Sequence, residues 1–100
     1  MPELIPSKKF LEDIKPLKSR RVIIKKIAKA LAFFEANPHH PGLDLERIIN
    51  DPSAWSIRVD SRYRISFDPD KVLPSGVPDW SGSVVLLRVL SRHDLYKRPR

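Results

Sequence analysis

Residues 54–68 read Ala-Trp-Ser-Ile-Arg-Val-Asp-Ser-Arg-Tyr-Arg-Ile-Ser-Phe-Asp, two runs of period 2 about a short polar centre. In the first run Trp55, Ile57 and Val59 share one face, and Ser56, Arg58 and Asp60 the other. In the second, Tyr63, Ile65 and Phe67 oppose Arg62, Arg64 and Ser66. A one-residue slip would bury the arginines, so register is expected to put both apolar sides on one face. A turn over Asp60-Ser61-Arg62 meets that demand and sets Val59 opposite Tyr63 and Arg58 opposite Arg64. The two guanidiniums then lie away from the apolar layer, where replacing Arg64 is expected to leave the fold intact. Like charges directly across a strand pair are destabilising, by up to about 1 kcal/mol. Two readings stay open: the pair binds an anion, to which arginine's planar fork is suited, or both arginines are solvated and each pairs with a carboxylate elsewhere.

Outward from this hairpin the periodicity changes. Ser7 can cap a helix from residue 8 to about 15, with Phe10, Leu11 and Ile14 on one face. Pro16 limits it, and Ser19 can cap a second helix over about 20–36, whose apolar set is Val22, Ile23, Ile27, Ala30, Leu31 and Phe34. Asn37-Pro38 is a stop signal. The two segments are expected to form a helical hairpin. A short extended run follows over about 43–49, then a turn at Asn50-Asp51-Pro52-Ser53. Residues 68–82 hold three prolines and two glycines and are expected to be irregular. The apolar run Val84–Ser91 is a last strand, and Arg92–Arg100 a basic tail. The fold class is therefore α+β: an N-terminal two-helix hairpin on a four-stranded, mostly antiparallel sheet, with residues 1–100 as a single domain.

Composition narrows the partners. Nineteen Lys and Arg against twelve Asp and Glu leave +7, which calls for a polyanion. No apolar run reaches the about 20 residues of a membrane span, and the start of the chain lacks a signal peptide's apolar stretch. With no cysteine, disulfides and thiolate metal sites are excluded. The expectation is a soluble, cytoplasmic protein without membrane, cofactor or small-molecule partners. His39-His40 lie before Pro41 with no third ligand at useful spacing, so they read as a surface loop. Trp80 reads as an anchor of the 68–82 connection on the core, with a contact to a partner macromolecule as the alternative. In the tail, His93 can donate or accept a proton, and Tyr96 can stack on a base or donate its hydroxyl.

The hairpin with its Trp-Ser-x-Arg-Val and Tyr-Arg-Ile elements resembles the RelE/ParE superfamily of bacterial toxins, as does the closing Arg92-His93-Asp94-x-Tyr96. The helix over 25–38 and the link over 39–48 fit the same pattern, so the resemblance covers nearly the whole chain. The longer 68–82 connection departs from it. The resemblance implies the toxin of a type II toxin–antitoxin pair, a metal-independent endoribonuclease that cuts messenger RNA, in many members at the ribosome. It implies cleavage by a ribose 2′-OH on the adjacent phosphate, and neutralisation by a cognate antitoxin. Carried over, Arg64 stabilises phosphate, His93 matches the histidine that moves a proton in YoeB-like and YafQ-like members, and Tyr96 matches the tyrosine at the scissile nucleotide. Glu46 falls near the carboxylate that serves as base. Arg58, Arg62 and Arg92 fit as phosphate contacts, with Lys97 and Arg98 as weaker ones. A ParE-like inhibitor of DNA gyrase without catalysis, or an inert binding module of the same fold, are the alternatives; His93 with Tyr96 favours the nuclease.

Overall fold

In a computed structural model, which describes residues 2–49 and 51–100, the hairpin takes the expected register. Strands β3 (Asp51–Arg58) and β4 (Tyr63–Pro69) pair antiparallel with Ile57 opposite Ile65 and Arg58 opposite Arg64. The Val59 N–H donates to the Tyr63 carbonyl at 3.0 Å, closing the three-residue turn. Ile57, Ile65 and Phe67 are buried together, as the alternation requires.

The sheet has five strands rather than four. They run β1 (Glu3–Pro6), β5 (Ser83–Ser91), β4, β3, β2 (Glu46–Ile48). The strand without a sequence signal is β1, four residues ending at a proline on the sheet edge, parallel to β5. The other pairings are antiparallel, so the sheet is mixed. Asp51 and Ser53 belong to β3 instead of a turn, because β2 pairs back across a register shift at Arg47/Ile48; Asn50 lies outside the described residues. The extended run expected over 43–49 shrinks to β2, preceded by a 3-10 turn over Pro41–Leu43.

Helix α1 (Lys8–Ile14) starts at Ser7, whose hydroxyl accepts from the Phe10 N–H at 3.1 Å and donates to the Leu87 carbonyl at 3.0 Å. One serine thus ends β1, caps α1 and ties both to β5. Pro16 sits inside a 3-10 turn, Lys15–Leu17, that leads to helix α2 (Arg21–Ala36). Ser19 does not cap α2: the chain is still closing that turn, through Arg20 N–H to Leu17 carbonyl at 2.9 Å, and Arg20 takes the cap position without a side-chain bond. The two helices do not form a hairpin packed on itself. Each lies on the sheet, and α1 is clamped to β5 by Asp13, which accepts from Arg88 at 2.7 and 2.9 Å and from the Val89 N–H at 3.1 Å. That bidentate bond holds the Arg88 guanidinium's pKa above its ordinary value.

One core joins Phe10, Ile23, Ile27, Phe34, Ile57 and Phe67. The tail is not an open basic segment. It forms helix α3 (Arg92–Lys97), capped by the Ser91 hydroxyl, on the opposite face of the sheet. There Leu95 is fully buried, and Tyr96 packs on Ile48, Ala54 and Leu87. Beyond α3, Ser66 donates to the Pro99 carbonyl at 2.6 Å, and Arg100 bonds Asp51, Ser53 and Asp68. With both faces covered, β5 can be the near-continuous apolar run seen in the sequence.

The connection between β4 and β5 is irregular apart from a bridge of Val72 with Pro78, and Gly76 supplies its positive φ of 88°. Trp80 anchors it, edge-on to Phe34, Trp55 and Phe67 with ring centroids 5.4 to 5.8 Å apart. Removing this ring opens a cavity beside three others, so Trp80→Ala is expected to cost roughly 3 kcal/mol. The midpoint of urea unfolding measures it, and an unchanged midpoint would show the loop to be held by other contacts.

Candidate nucleic-acid interface

The polar face of β3 and β4 carries Ser56, Arg64 and Ser66, all buried under α3, its tail and the segment before β2. Arg64 is therefore not on an open face as the alternation alone implied: its side chain is 3% exposed. The hairpin's period placed it on the correct side, but elements distant in sequence close over that side. A charge at this depth needs acceptors. Nε donates to the Ser56 hydroxyl at 3.0 Å, and Nη2 to the Asp44 carbonyl at 2.6 Å and the Ser56 carbonyl at 3.3 Å. Nη1 reaches an Asp44 carboxylate oxygen at 3.4 Å, and Glu46 lies 3.7 Å from Nη2. Burial, the largest cause, lowers the guanidinium's pKa and Arg92 adds to it, while Glu46 and Asp44 pull the other way. Arginine stays protonated under such pressure, so the site holds a fixed cation.

Asp44 was not legible as a site residue. It adopts a left-handed conformation, φ 48°, right after the Pro41–Leu43 turn, which aims its own carbonyl at Arg64. A short polar residue following Gly-Leu is the one sequence signal for that conformation. Arg58 lies opposite Arg64 in the ladder but turns away, its Nε donating to the Asp60 carbonyl at 3.2 Å. Arg64 thus has Asp44 and Glu46 carboxylates nearby but is buried and not solvated, and Arg58 stays exposed.

Above Arg64 opens a cleft of about 180 Å³, lined by Asp44, Arg58, Asp60, Ser61, Arg62, Arg64 and Arg92. Four guanidiniums meet two carboxylates there. Arg62 fixes the mouth, because its carbonyl accepts from the Arg92 N–H at 2.9 Å and so ties the hairpin turn to the start of α3. Asp60 caps the turn through the N–H groups of Arg62 at 2.8 Å and Tyr63 at 2.7 Å. Burial pushes its carboxyl up, but those N–H bonds with Lys26 and Arg58 outweigh burial and leave its pKa below the ordinary value.

Glu46 is not part of the cleft's lining but lies between Arg64 and Arg92, 3.7 and 3.9 Å from their Nη2 atoms. Arg92 is 62% exposed and lies over the Tyr96 ring at 5.6 Å, and the Tyr96 hydroxyl is 3.4 Å from that of Ser56. Arg64, Ser56, Tyr96, Arg92 and Glu46 therefore form one continuous network. His93 and Lys97 are not among the cleft's lining. They share with Arg92 and Tyr96 an open depression next to it. Arg98 follows α3, exposed, and lines neither.

His40 stacks on Phe33, and its Nδ1 accepts from the Gly42 N–H at 3.2 Å, so this histidine is a loop residue as expected. Among the described residues no group of three or more His, Asp or Glu side chains could hold a metal ion. No described helix is long and apolar enough to cross a membrane.

The chain matches no family model and no curated protein sequence. Its fold does match solved structures. A YoeB/ParE toxin from Agrobacterium tumefaciens superposes with a TM-score of 0.68 at 12% identity, covering 90% of this chain and 98% of that one. YafQ from Escherichia coli gives 0.68 at 12% identity, with 95% and 98% covered. YafQ solved in complex with DinJ gives 0.62 at 14% identity over the same shares. At these identities the likeness establishes the fold: the chain folds as the YoeB and YafQ toxins do.

Asp60 supplies a pH test of the turn that forms the cleft's mouth. Its folded pKa is depressed, so its stabilisation is complete at neutral pH and is lost as pH falls through that lowered value. Asp60→Ala should therefore lower the urea midpoint at pH 7, with the gap to the parent chain narrowing as pH falls below the ordinary carboxylate range. A gap constant with pH would mean that the carboxylate's charge is not what holds the turn.

Proposed function

We propose that this chain is the toxin of a toxin–antitoxin pair and acts as an endoribonuclease on messenger RNA, with the Arg64 cleft as its phosphate site. The observation that carries the reading is a buried, preorganised guanidinium at the floor of a cleft rimmed by three more. Its bonds to Ser56 and Asp44 hold that cation in place, so its charge is already positioned when negative charge develops on a phosphorane. The fold shared with YoeB and YafQ toxins supports it.

In the reaction, the 2′-oxygen attacks the adjacent phosphorus and the 5′-oxygen of the next nucleotide leaves. The products are a 2′,3′-cyclic phosphate and a 5′-hydroxyl. Glu46, the carboxylate between Arg64 and Arg92, accepts the 2′-proton. His93, on the same first turn of α3 as Arg92, returns a proton to the leaving oxygen. Tyr96 is turned by Arg92 and Ser56 so that its ring can meet a base beside the scissile bond. Arg58, Arg62 and Arg92 hold flanking phosphate oxygens, and Lys97 and Arg98 add long-range attraction. No step calls on a metal. The antitoxin is a partner whose acidic residues neutralise this face of a +7 chain, and YafQ's complex with DinJ is a precedent for a protein partner on the fold. The ribosome is the proposed setting in which the RNA is presented.

His93 lies outside the cleft, which favours one second reading: a toxin of the same fold that stops DNA gyrase without catalysis. Induced expression in bacteria without antitoxin separates the two. The nuclease reading expects growth arrest with new transcript ends inside codons, both lost in Glu46→Gln and in Arg64→Lys. Arg64→Lys is preferred to Arg64→Ala, which would leave Ser56 and the Asp44 carbonyl unpaired in the interior and destabilise the fold as well. Arrest with intact transcripts and altered DNA supercoiling would contradict it. For His93→Gln, cleavage should slow about 100-fold or more while RNA affinity changes little. Equal losses in both would reduce His93 to a contact.

A further inference from the structure

The cleft of about 180 Å³ suits a phosphate group and is small for a whole nucleotide, so the flanking sugars and bases must lie beside it. On one side Arg92 leads to the depression with Tyr96. On the other, Arg58 and Asp60 are shared with a second groove of about 370 Å³, between α2 and the hairpin turn. That groove is unassigned by the reaction above. We infer that it is a nucleotide subsite: it takes the residue of single-stranded RNA next to the scissile phosphate on the side away from Tyr96, its base packing against Phe33 in the groove wall. The inference rests on the ribonuclease reading.

Two independent features converge in the groove. The first is charge. Lys26, Lys29 and Arg58 line it against one carboxylate, Asp60. Asp60 is already committed, with one oxygen bonded to two backbone N–H groups and the other 3.8 Å from Lys26. Lys29 has no ion pair among those described, so the groove keeps a net cationic surface. The second is an aromatic wall, Phe33, backed by His40, which does not itself line the groove. Phe33 is 37% exposed although it stands in a helix whose other phenylalanine, Phe34, is fully buried. His40 lies parallel to it with centroids 4.5 Å apart and planes within 5°. Lys29 reaches within 5.6 Å of the Phe33 ring. The His40 ring is oriented by the Gly42 N–H, so the stack is held from the loop as well as from the helix. An exposed aromatic ring beside cations is what single-stranded nucleic acid binds: bases pack on it irrespective of sequence while the backbone follows the charge.

The test uses the purified full chain and a short RNA carrying 2′-O-methyl at the scissile ribose, which cannot be cut, with affinity read by fluorescence anisotropy across a salt series. Phe33→Ala should weaken binding about tenfold. On two further oligonucleotides, each abasic at one nucleotide beside the scissile phosphate, the Phe33→Ala loss should vanish for one of them and persist for the other. Lys29→Gln should reduce the slope of log affinity against log salt by about 0.7. Circular dichroism and urea midpoints confirm that each variant is folded; should Phe33→Ala fail to fold, Phe33→Leu replaces it with the same expectation. Parent-like affinity and slope in both variants, with the parent chain cutting the unmodified RNA, would overturn the subsite and leave the nuclease standing. A parent chain that neither binds nor cuts RNA would overturn both.

Discussion

A guanidinium taken out of water is tolerable only when its N–H groups meet oxygens, and Arg64 draws on the neighbouring strand and on the segment over residues 44–46. The Ser56 hydroxyl and carbonyl come from the neighbouring strand, the Asp44 carbonyl from a left-handed residue after the Pro41–Leu43 turn, and the Glu46 carboxylate from β2. Each of these fixes something else. Ser56 meets Tyr96, and so joins α3 to the hairpin; Asp44 sets the wall of the cleft; Glu46 reaches on to Arg92. The arginine that would hold a phosphate is thus also the residue around which the site is assembled. Breaking such a buried set by removing one partner is far costlier than losing a surface pair.

The arrangement depends in turn on the β3–β4 register. The three-residue turn capped by Asp60 places Arg64 across from Arg58 and leaves the apolar side to α2. The like charges do not meet, because one is drawn into the interior and the other toward the turn. The electrostatic cost of the pairing is thereby offset on both strands, while Arg58 and Arg64 still line one cleft.

Local chemistry made the hairpin register, the Ser7 cap, the span of α2 and the role of Trp80 readable from the residues alone. Each rests on neighbours in sequence or on a face that must be buried. What escaped is decided by distant chain. β1 is four residues whose partner strand begins at Ser83, and no local pattern announces a parallel pairing over that separation. α3 is too short for a helical period; burial of Leu95 and the Ser91 cap make it a helix. That helix and the 3-10 turn before Asp44 turn an expected open arginine face into an interior. The same distance explains the site. Glu46, Arg92 and Tyr96 come together around Arg64, whereas His93, adjacent to Arg92 in the chain, falls on the outside of α3 and beside the cleft.

The central claim is that this cleft promotes attack by a ribose hydroxyl on the adjacent phosphate. The most direct measurement is mass spectrometry of the products from one RNA oligonucleotide, compared with its copy lacking a single 2′-hydroxyl at the position cut. The account predicts a 2′,3′-cyclic phosphate and a 5′-hydroxyl from the RNA, and no cleavage at that position in the copy. Cleavage of both at equal rate, or of neither, would contradict it.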